Sequence, residues 1–144
     1  MLKRQSIDIL LVEDNPGDIR LTQEAFREGG VEARIHVVRD GEAAMAFLRR
    51  EGVYANSPRP TFILLDLNLP RKNGREVLAE VKQQKELRQI PILILSTSTG
   101  CEDISSAYDL HANCYMTKPV DLQRLVTMTQ RIEEFWLSTV VLPE

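Results

Sequence analysis

Cysteine and histidine are scarce in this chain, and no apolar run is long. Cys101 and Cys114 fall in no paired metal-ligand spacing, and His36 and His111 have neither a second ligand nor a nucleophile elbow beside them. Zinc and copper sites and a disulfide framework are therefore excluded as expectations. The 7 glycines include no dinucleotide fingerprint and no phosphate-binding glycine-lysine loop. Positive charge is also in short supply: 18 Lys and Arg stand against 21 Asp and Glu, a net charge of −3. Without a broad cationic field, nucleic-acid binding is not expected. The strongly apolar stretches, at 9–12, 62–65 and 92–95, are too short to cross a bilayer. The N-terminus MLKRQSIDILL has no apolar segment ending in a cleavage site, so no membrane contact and a cytoplasmic location are expected.

What remains is a 144-residue chain, 43% hydrophobic and 27% charged, enough for one folded domain without a covalent or metal staple. Strand-like and helix-like patterns alternate along it, the signature of a parallel sheet covered by helices on both faces. Ile7 to Val12 reads as a strand buried on both sides. Asn15 and Pro16 then cap and open a helix that buries Ile19, Leu21, Ala25 and Phe26 and stops at Gly29-Gly30. Strands follow at Ala33 to Val38, Phe62 to Asp66, Pro91 to Ser96 and Asn113 to Thr117. Asp40 caps the second helix, and Gly52 to Pro60 reads as a surface loop. A third helix runs through Val77, Leu78 and Val81, and a short fourth from Asp103 to Leu110. The last, from Asp121 to about Phe135, carries Leu122, Leu125, Met128 and Ile132 at helical spacing.

In such a sheet all strands deliver their carboxyl ends to one edge, where ligands bind. The residues there are Glu13 and Asp14 after the first strand, Asp66 after the third, Ser96 after the fourth and Lys118 after the fifth. Clustered carboxylates repel one another unless a cation sits among them, and an oxygen-only donor set suits Mg²⁺. With the metal and Lys118 neutralising phosphoryl oxygens, Asp66 has the surroundings of a phosphoryl acceptor, and Ser96 can donate a hydrogen bond to the transferred group. The basic residues Arg71, Lys72 and Arg75 flank this edge, either to steer an acidic partner or to solvate a helix start.

The segments ILLVEDNPGD, ILLDLNLPRKNG, PILILSTSTGCEDI and NCYMTKPVD resemble, in this order, the receiver domain of bacterial two-component response regulators. The resemblance covers residues 7 to about 135. It implies a flavodoxin-like doubly wound (βα)5 fold with a five-stranded parallel sheet in the order 2-1-3-4-5. It also implies that a histidine kinase supplies the phosphoryl group to Asp66, with Pro70 and Gly74 at the family's spacing after it. By the same resemblance Glu13 and Asp14 are the acidic pair, and the backbone carbonyl of Asn68 completes the metal shell. Ser96 and Tyr115 are then the switch residues, Lys118 is the family's lysine, and the Lys118-Pro119 bond is cis. Ser96 stands where the family often has Thr, and Thr97 where Ala or Gly is usual. The segments YDLHANCYMTKP and IEEFWLSTVVLPE are similar to stand-alone regulators of bacterial phytochrome kinases, which makes a phytochrome-type kinase the expected partner.

The expected division is a receiver domain over 1–135 and an apolar extension over 136–144, with no output domain. Phe135, Trp136 and Leu137 are consecutive and cannot all face inward, so at least one should be exposed unless a partner covers it. A homodimer over the face that carries Tyr115 and these residues would cover it on both subunits. Two rival functions are a Mg²⁺-dependent aspartyl-phosphate phosphatase and a vestigial interaction module. The first normally needs an acid two residues after the nucleophile, where Asn68 stands; the second is opposed by intact Asp14, Asp66 and Lys118. As a receiver, the chain would catalyse only its own phosphorylation and dephosphorylation.

Overall fold

A computed structural model describes residues 7–139 and 141–142, with side chains described except at 137–139. Five parallel strands, β1 (Ile7–Val12), β2 (Ala33–Val38), β3 (Phe62–Leu65), β4 (Ile92–Ser96) and β5 (Cys114–Thr117), pair in the order β2-β1-β3-β4-β5. The helices are α1 (Pro16–Glu28), α2 (Gly41–Arg49), α3 (Gly74–Gln83), α4 (Cys101–Asp109) and α5 (Leu122–Ile132). This is the parallel sheet expected from the alternating pattern, in the flavodoxin-like doubly wound order that the resemblance implied.

β1 pairs with β2 on one side and β3 on the other, and all of its residues are buried, as expected of a run that is apolar but for Asp8. Successive side chains point to opposite faces. Leu10, Val12, Ile63 and Leu65 therefore meet Phe47 and Leu48 of α2 and Val77, Leu78 and Val81 of α3. Ile7, Ile9, Leu11, Phe62 and Leu64 meet Phe26 of α1 and Ile132 of α5 on the other face.

Asn15 and Asp40 cap helices as the sequence announces, and Asn73 and Asp121 do the same for α3 and α5. Asn15 accepts from the Asp18 amide at 3.0 Å, Asp40 from Ala43 at 2.7 Å, Asn73 from Glu76 at 3.0 Å and Asp121 from Arg124 at 2.8 Å. The buried residues of α1 are Thr22, Ala25 and Phe26, with Leu21 and Ile19 only half-buried. That shift follows from close α1–α5 packing, in which the Thr129 hydroxyl donates to the Ala25 carbonyl at 3.2 Å. α4 begins two residues before the expected Asp103, at Cys101. The loop at 52–60 holds a 3₁₀ turn, Gly52–Tyr54, fastened by the Ser57 hydroxyl donating to the Phe47 carbonyl at 2.7 Å. α5 runs on as a π-helical segment, Glu133–Thr139, so the expected boundary at 135 falls inside a continuous helix.

At the amino-terminal edge of the sheet the strands are stitched together. Thr61 donates its amide to the Asp8 carbonyl at 2.7 Å, and Ile92 donates to Asn113 Oδ1 at 2.9 Å. Lys82 Nζ donates to the same Asn113 oxygen at 2.9 Å, and buried Asp8 is flanked by Arg34 Nε at 3.0 Å and His36 Nε2 at 2.9 Å. No described helix is long and apolar enough to cross a membrane.

Gly74, the first residue of α3, lies against the turn that carries Asp66. A Cβ there would sit 2.3 Å from the Asp66 carbonyl oxygen and 2.5 Å from Leu67 Cα, while the Gly74 amide donates to the Leu67 carbonyl at 3.0 Å. Backbone, not a flexible side chain, is the obstacle. Gly74→Ala should therefore destabilise the chain by about 1–3 kcal/mol in urea unfolding, whereas Gly52→Ala, which meets no atom within 4 Å, should lose less and only through its positive φ.

Candidate functional site

The carboxyl edge of the sheet is held in place by hydrogen bonds that extend the strand ladders. Glu13 donates its amide to the Val38 carbonyl at 3.0 Å, Asp66 to Val12 at 3.0 Å, and Lys118 to Ser96 at 2.7 Å. Each residue at a strand end is thus fixed at the backbone before its side chain makes any contact.

These side chains converge. Lys118 Nζ makes a short contact with Glu13 and lies 3.1 Å from Asp18 Oδ2 and 3.3 Å from Asp66 Oδ2. The other oxygen of each buried acid is occupied by backbone: Asn15 donates to Glu13 Oε2 at 3.2 Å, and Asn68 donates to Asp66 Oδ1 at 3.0 Å. Glu13 and Asp66 are buried, Asp14 is partly exposed, and one carboxylate oxygen from each of the three lies within 4.8 Å of the others. No nitrogen or sulfur donor joins this cluster, so the set fits a hard divalent cation.

The charges press on one another. Burial pushes the Glu13 carboxyl up to about 7; the hydrogen bond from Lys118 opposes the shift and the charge of Asp66 adds to it. For Lys118, burial works against the charge, but the hydrogen bond to Glu13 and the charges of Asp66 and Glu13 outweigh it. The ammonium is held above its ordinary range and stays protonated.

Ser96 is fully buried at the end of β4, and its Oγ accepts from the Ser98 amide at 3.2 Å. Tyr115 is half-buried, with its hydroxyl donating to the Ser98 carbonyl at 2.9 Å. Thr97 is exposed at the mouth. Asn68 is exposed beside Asp66 with its amide turned toward it. The expected cis bond at Lys118-Pro119 is corrected: every described peptide bond is trans. Trans is the lower-energy isomer even before proline, and Lys118 reaches all three acids with the bond in that form.

At the far end of α5, Phe135 is 54% exposed and stands edge-on to Trp136 with ring centroids 5.6 Å apart. Trp136 is half-buried and, like Met116, Met128 and Cys114, packs against the buried cluster on the α1/α5 side of the sheet. The Leu137 side chain lies outside the described residues.

Two features escaped the sequence reading. Asp18, which is not among the strand-end residues, is a direct partner of Lys118, and that pairing across 100 residues has no local signal. The basic residues flanking the edge neither steer freely nor merely solvate. Arg71 Nη1 lies 3.7 Å from Asp40, Lys72 contacts Glu80, and Arg75 contacts Asp103.

Residues 9–130 match the response regulator receiver domain, a signalling family. The chain belongs to that family. Among its relatives is Response regulator Rcp1 of Synechocystis sp. (strain ATCC 27184 / PCC 6803 / Kazusa), 54% identical over 135 residues that make up 94% of this chain and 92% of the relative. The receiver is also similar to the phosphorylated cyanobacterial phytochrome response regulator RcpA (TM-score 0.91, 55% identity, covering 97% of this chain and 100% of the other). The structure of the Mn²⁺-bound form of Rcp1 gives a TM-score of 0.87 at 53% identity, covering 96% of this chain and 99% of that one.

The raised Glu13 pKa has a sign. A carboxyl whose folded pKa exceeds its unfolded value of 4.5 contributes stability that is complete below 4.5 and is lost as pH rises through about 7. In buffer freed of divalent cations, stability should fall between pH 5 and 8. Glu13→Gln should remove that slope and unfold at higher urea than wild type at pH 8, with the two curves converging near pH 4.5. Parallel pH profiles for the two proteins would contradict the assignment.

Proposed function

We propose that this receiver accepts a phosphoryl group on Asp66 from a histidine kinase in a Mg²⁺-dependent reaction and signals by changed protein contacts. The observation that carries the reading is Asp66 itself, a buried carboxylate at the end of β3 with Lys118 Nζ 3.3 Å from one oxygen and the Asn68 amide 3.0 Å from the other. Glu13, Asp14, Asp66 and the Asn68 carbonyl would hold the metal, which when bound supplies positive charge to phosphoryl oxygens.

In the transfer, an Asp66 oxygen forms a new bond to phosphorus as the bond to the donor's imidazole nitrogen breaks, and the electron pair leaves with that nitrogen. Lys118, held protonated beside Asp66, neutralises charge on the transferred oxygens. The Ser96 hydroxyl donates to one of them, and its movement opens space for the Tyr115 ring, a two-state packing change on the face of α4, β5 and α5. The chain then catalyses only its own phosphorylation and dephosphorylation. The phosphatase reading is weaker because position 68 offers an amide side chain where that chemistry needs an acid.

Similarity to RcpA and Rcp1 supports a phytochrome-type kinase as the donor, and this reading carries with it a cytoplasmic place of action. The domain is taken as 1–135 and the segment 136–144 as an extension contributing to a homodimer. Supporting this, Cys114, Met116, Met128, Ile132, Phe135 and Trp136 line an apolar groove of about 660 Å³ beside β5. A second copy would cover the groove and exposed Phe135 together.

Acetyl phosphate with Mg²⁺ should add one phosphoryl group by intact mass, and Asp66→Asn should add none. Uptake by Asp66→Asn at the wild-type rate would refute the acceptor. Asp14→Ala should weaken Mg²⁺ binding about tenfold or more, with calorimetry as the measure. Sedimentation should show wild type associating more strongly than a chain ending at Glu134, and a wild type monomeric at about 50 μM with and without phosphodonor would remove the dimer, since a functional pair is expected to hold at such concentrations.

A further inference from the structure

Lys118 is held by three acids, and the three are not equivalent. An ammonium has three N–H donors. The Lys118 side chain, 13% exposed, makes its short contact with Glu13 and lies 3.1 Å from Asp18 Oδ2 and 3.3 Å from Asp66 Oδ2, so each donor has one carboxylate. Glu13 and Asp66 belong, with Asp14, to the cluster whose oxygens lie close enough together to share a cation, and Asp18 stands outside it. Asp18 comes from the first turn of α1, where its amide is fixed by the Asn15 cap at 3.0 Å. Lys118 is fixed at its own backbone by the 2.7 Å bond to the Ser96 carbonyl. Beside the pair lies a cavity of about 20 Å³ whose walls include Leu21, Leu95 and Leu125 and bring no further anion. An ammonium that leaves Asp18 therefore has only the cluster to go to.

We infer that Asp18 is a positioning residue for Lys118: it holds one N–H of the ammonium from the side of α1 and so keeps that charge from settling wholly on Glu13 and Asp66, the carboxylates that a divalent cation and a phosphoryl group must use. The inference rests on the reading of Asp66 as phosphoacceptor. Because Asp18 gives no oxygen to the cluster, its contact with Lys118 competes with neither ligand and is compatible with the site in any state of loading. Without the Asp18 charge, three donors are left with two acids, both buried. Attraction between charges is stronger in a buried setting, so the ammonium moves onto them. There it competes with the cation for Glu13 and Asp66, and it covers an Asp66 oxygen where that carboxylate has to attack phosphorus.

The test compares wild type, Asp18→Asn, Asp18→Glu, Lys118→Met and the double variant Asp18→Asn/Lys118→Met in the full chain. Mg²⁺ affinity is measured by calorimetry without phosphodonor, and phosphoryl uptake by intact mass at saturating Mg²⁺ over a range of acetyl phosphate concentrations. Asp18→Asn should bind Mg²⁺ about three- to tenfold more weakly and reach a limiting phosphorylation rate lower by a similar factor, the coupling usual within one hydrogen-bond network, with the half-saturating donor concentration no higher. Asp18→Glu should recover most of both losses. In the Lys118→Met background, Asp18→Asn should leave Mg²⁺ affinity unchanged within about twofold, because the group through which Asp18 acts is gone. An equal loss in both backgrounds would mean that Asp18 attracts the metal directly by its charge, and it overturns the inference; wild-type Mg²⁺ affinity in Asp18→Asn does so too. Should Lys118→Met not fold, the kinetic split decides. Removing an acid by itself favours encounter with an anionic donor, so a lower half-saturating concentration with an unchanged limiting rate overturns the positioning role. No uptake by wild type would sink the Asp66 reading, while the calorimetric comparison, run without donor, still tests the hold on Lys118.

Discussion

One ammonium group carries the architecture of the site. Lys118 leaves the end of β5 at one side of the sheet and reaches across to acids supplied by β1, α1 and β3. Its neighbours are brought together only if the strands lie in the order β2-β1-β3-β4-β5, since that order places β1 beside β3 and leaves β5 two strands from β3. Glu13 and Lys118 are 105 residues apart in the chain. Their contact therefore exists only when the whole sheet is assembled, and the chemistry of the edge depends directly on the topology.

That cation is outnumbered. Burial pushes the Glu13 pKa up, and the second acid beside it pushes the same way. A cluster in this condition gains from any added positive charge and resists any added negative charge that arrives without it. Under the proposed function, a cation is the complement such a cluster needs beside an anionic group. Arg71, Lys72 and Arg75 do not relieve the imbalance, because each is committed to an acid elsewhere.

The strand ends were legible because each reactive residue follows an apolar run whose direction in a parallel sheet is settled by its crossovers. The helix starts at Asn15 and Asp40 were legible through the side chains that cap them and the start at Asp121 through the helical spacing after it, whereas the Asn73 cap of α3 was missed. α4 was misplaced for the complementary reason: its cap is a glycine, and the oxygen that serves its first turn comes from Ser98. Burial of Thr22 over Leu21 depends on α5 lying against α1, and the role of Asp18 on a lysine 100 residues away; neither long-range pairing has a local signature. The trans Lys118-Pro119 bond marks where family likeness said more than the residues themselves do.

The two ends of the sheet are built to opposite specifications. At the carboxyl end, acid side chains from several elements converge on one lysine. At the amino end, Thr61, Asn113 and the Asp8–Arg34–His36 group lock neighbouring strands through backbone and charge together. The strand ends are therefore fixed alike at the backbone and unlike in charge: at the base each polar group is matched on a neighbouring strand, whereas at the tips several acids share one cation. A charge altered at the base disturbs one pair of strands, and a charge altered at the tips disturbs every acid that shares Lys118.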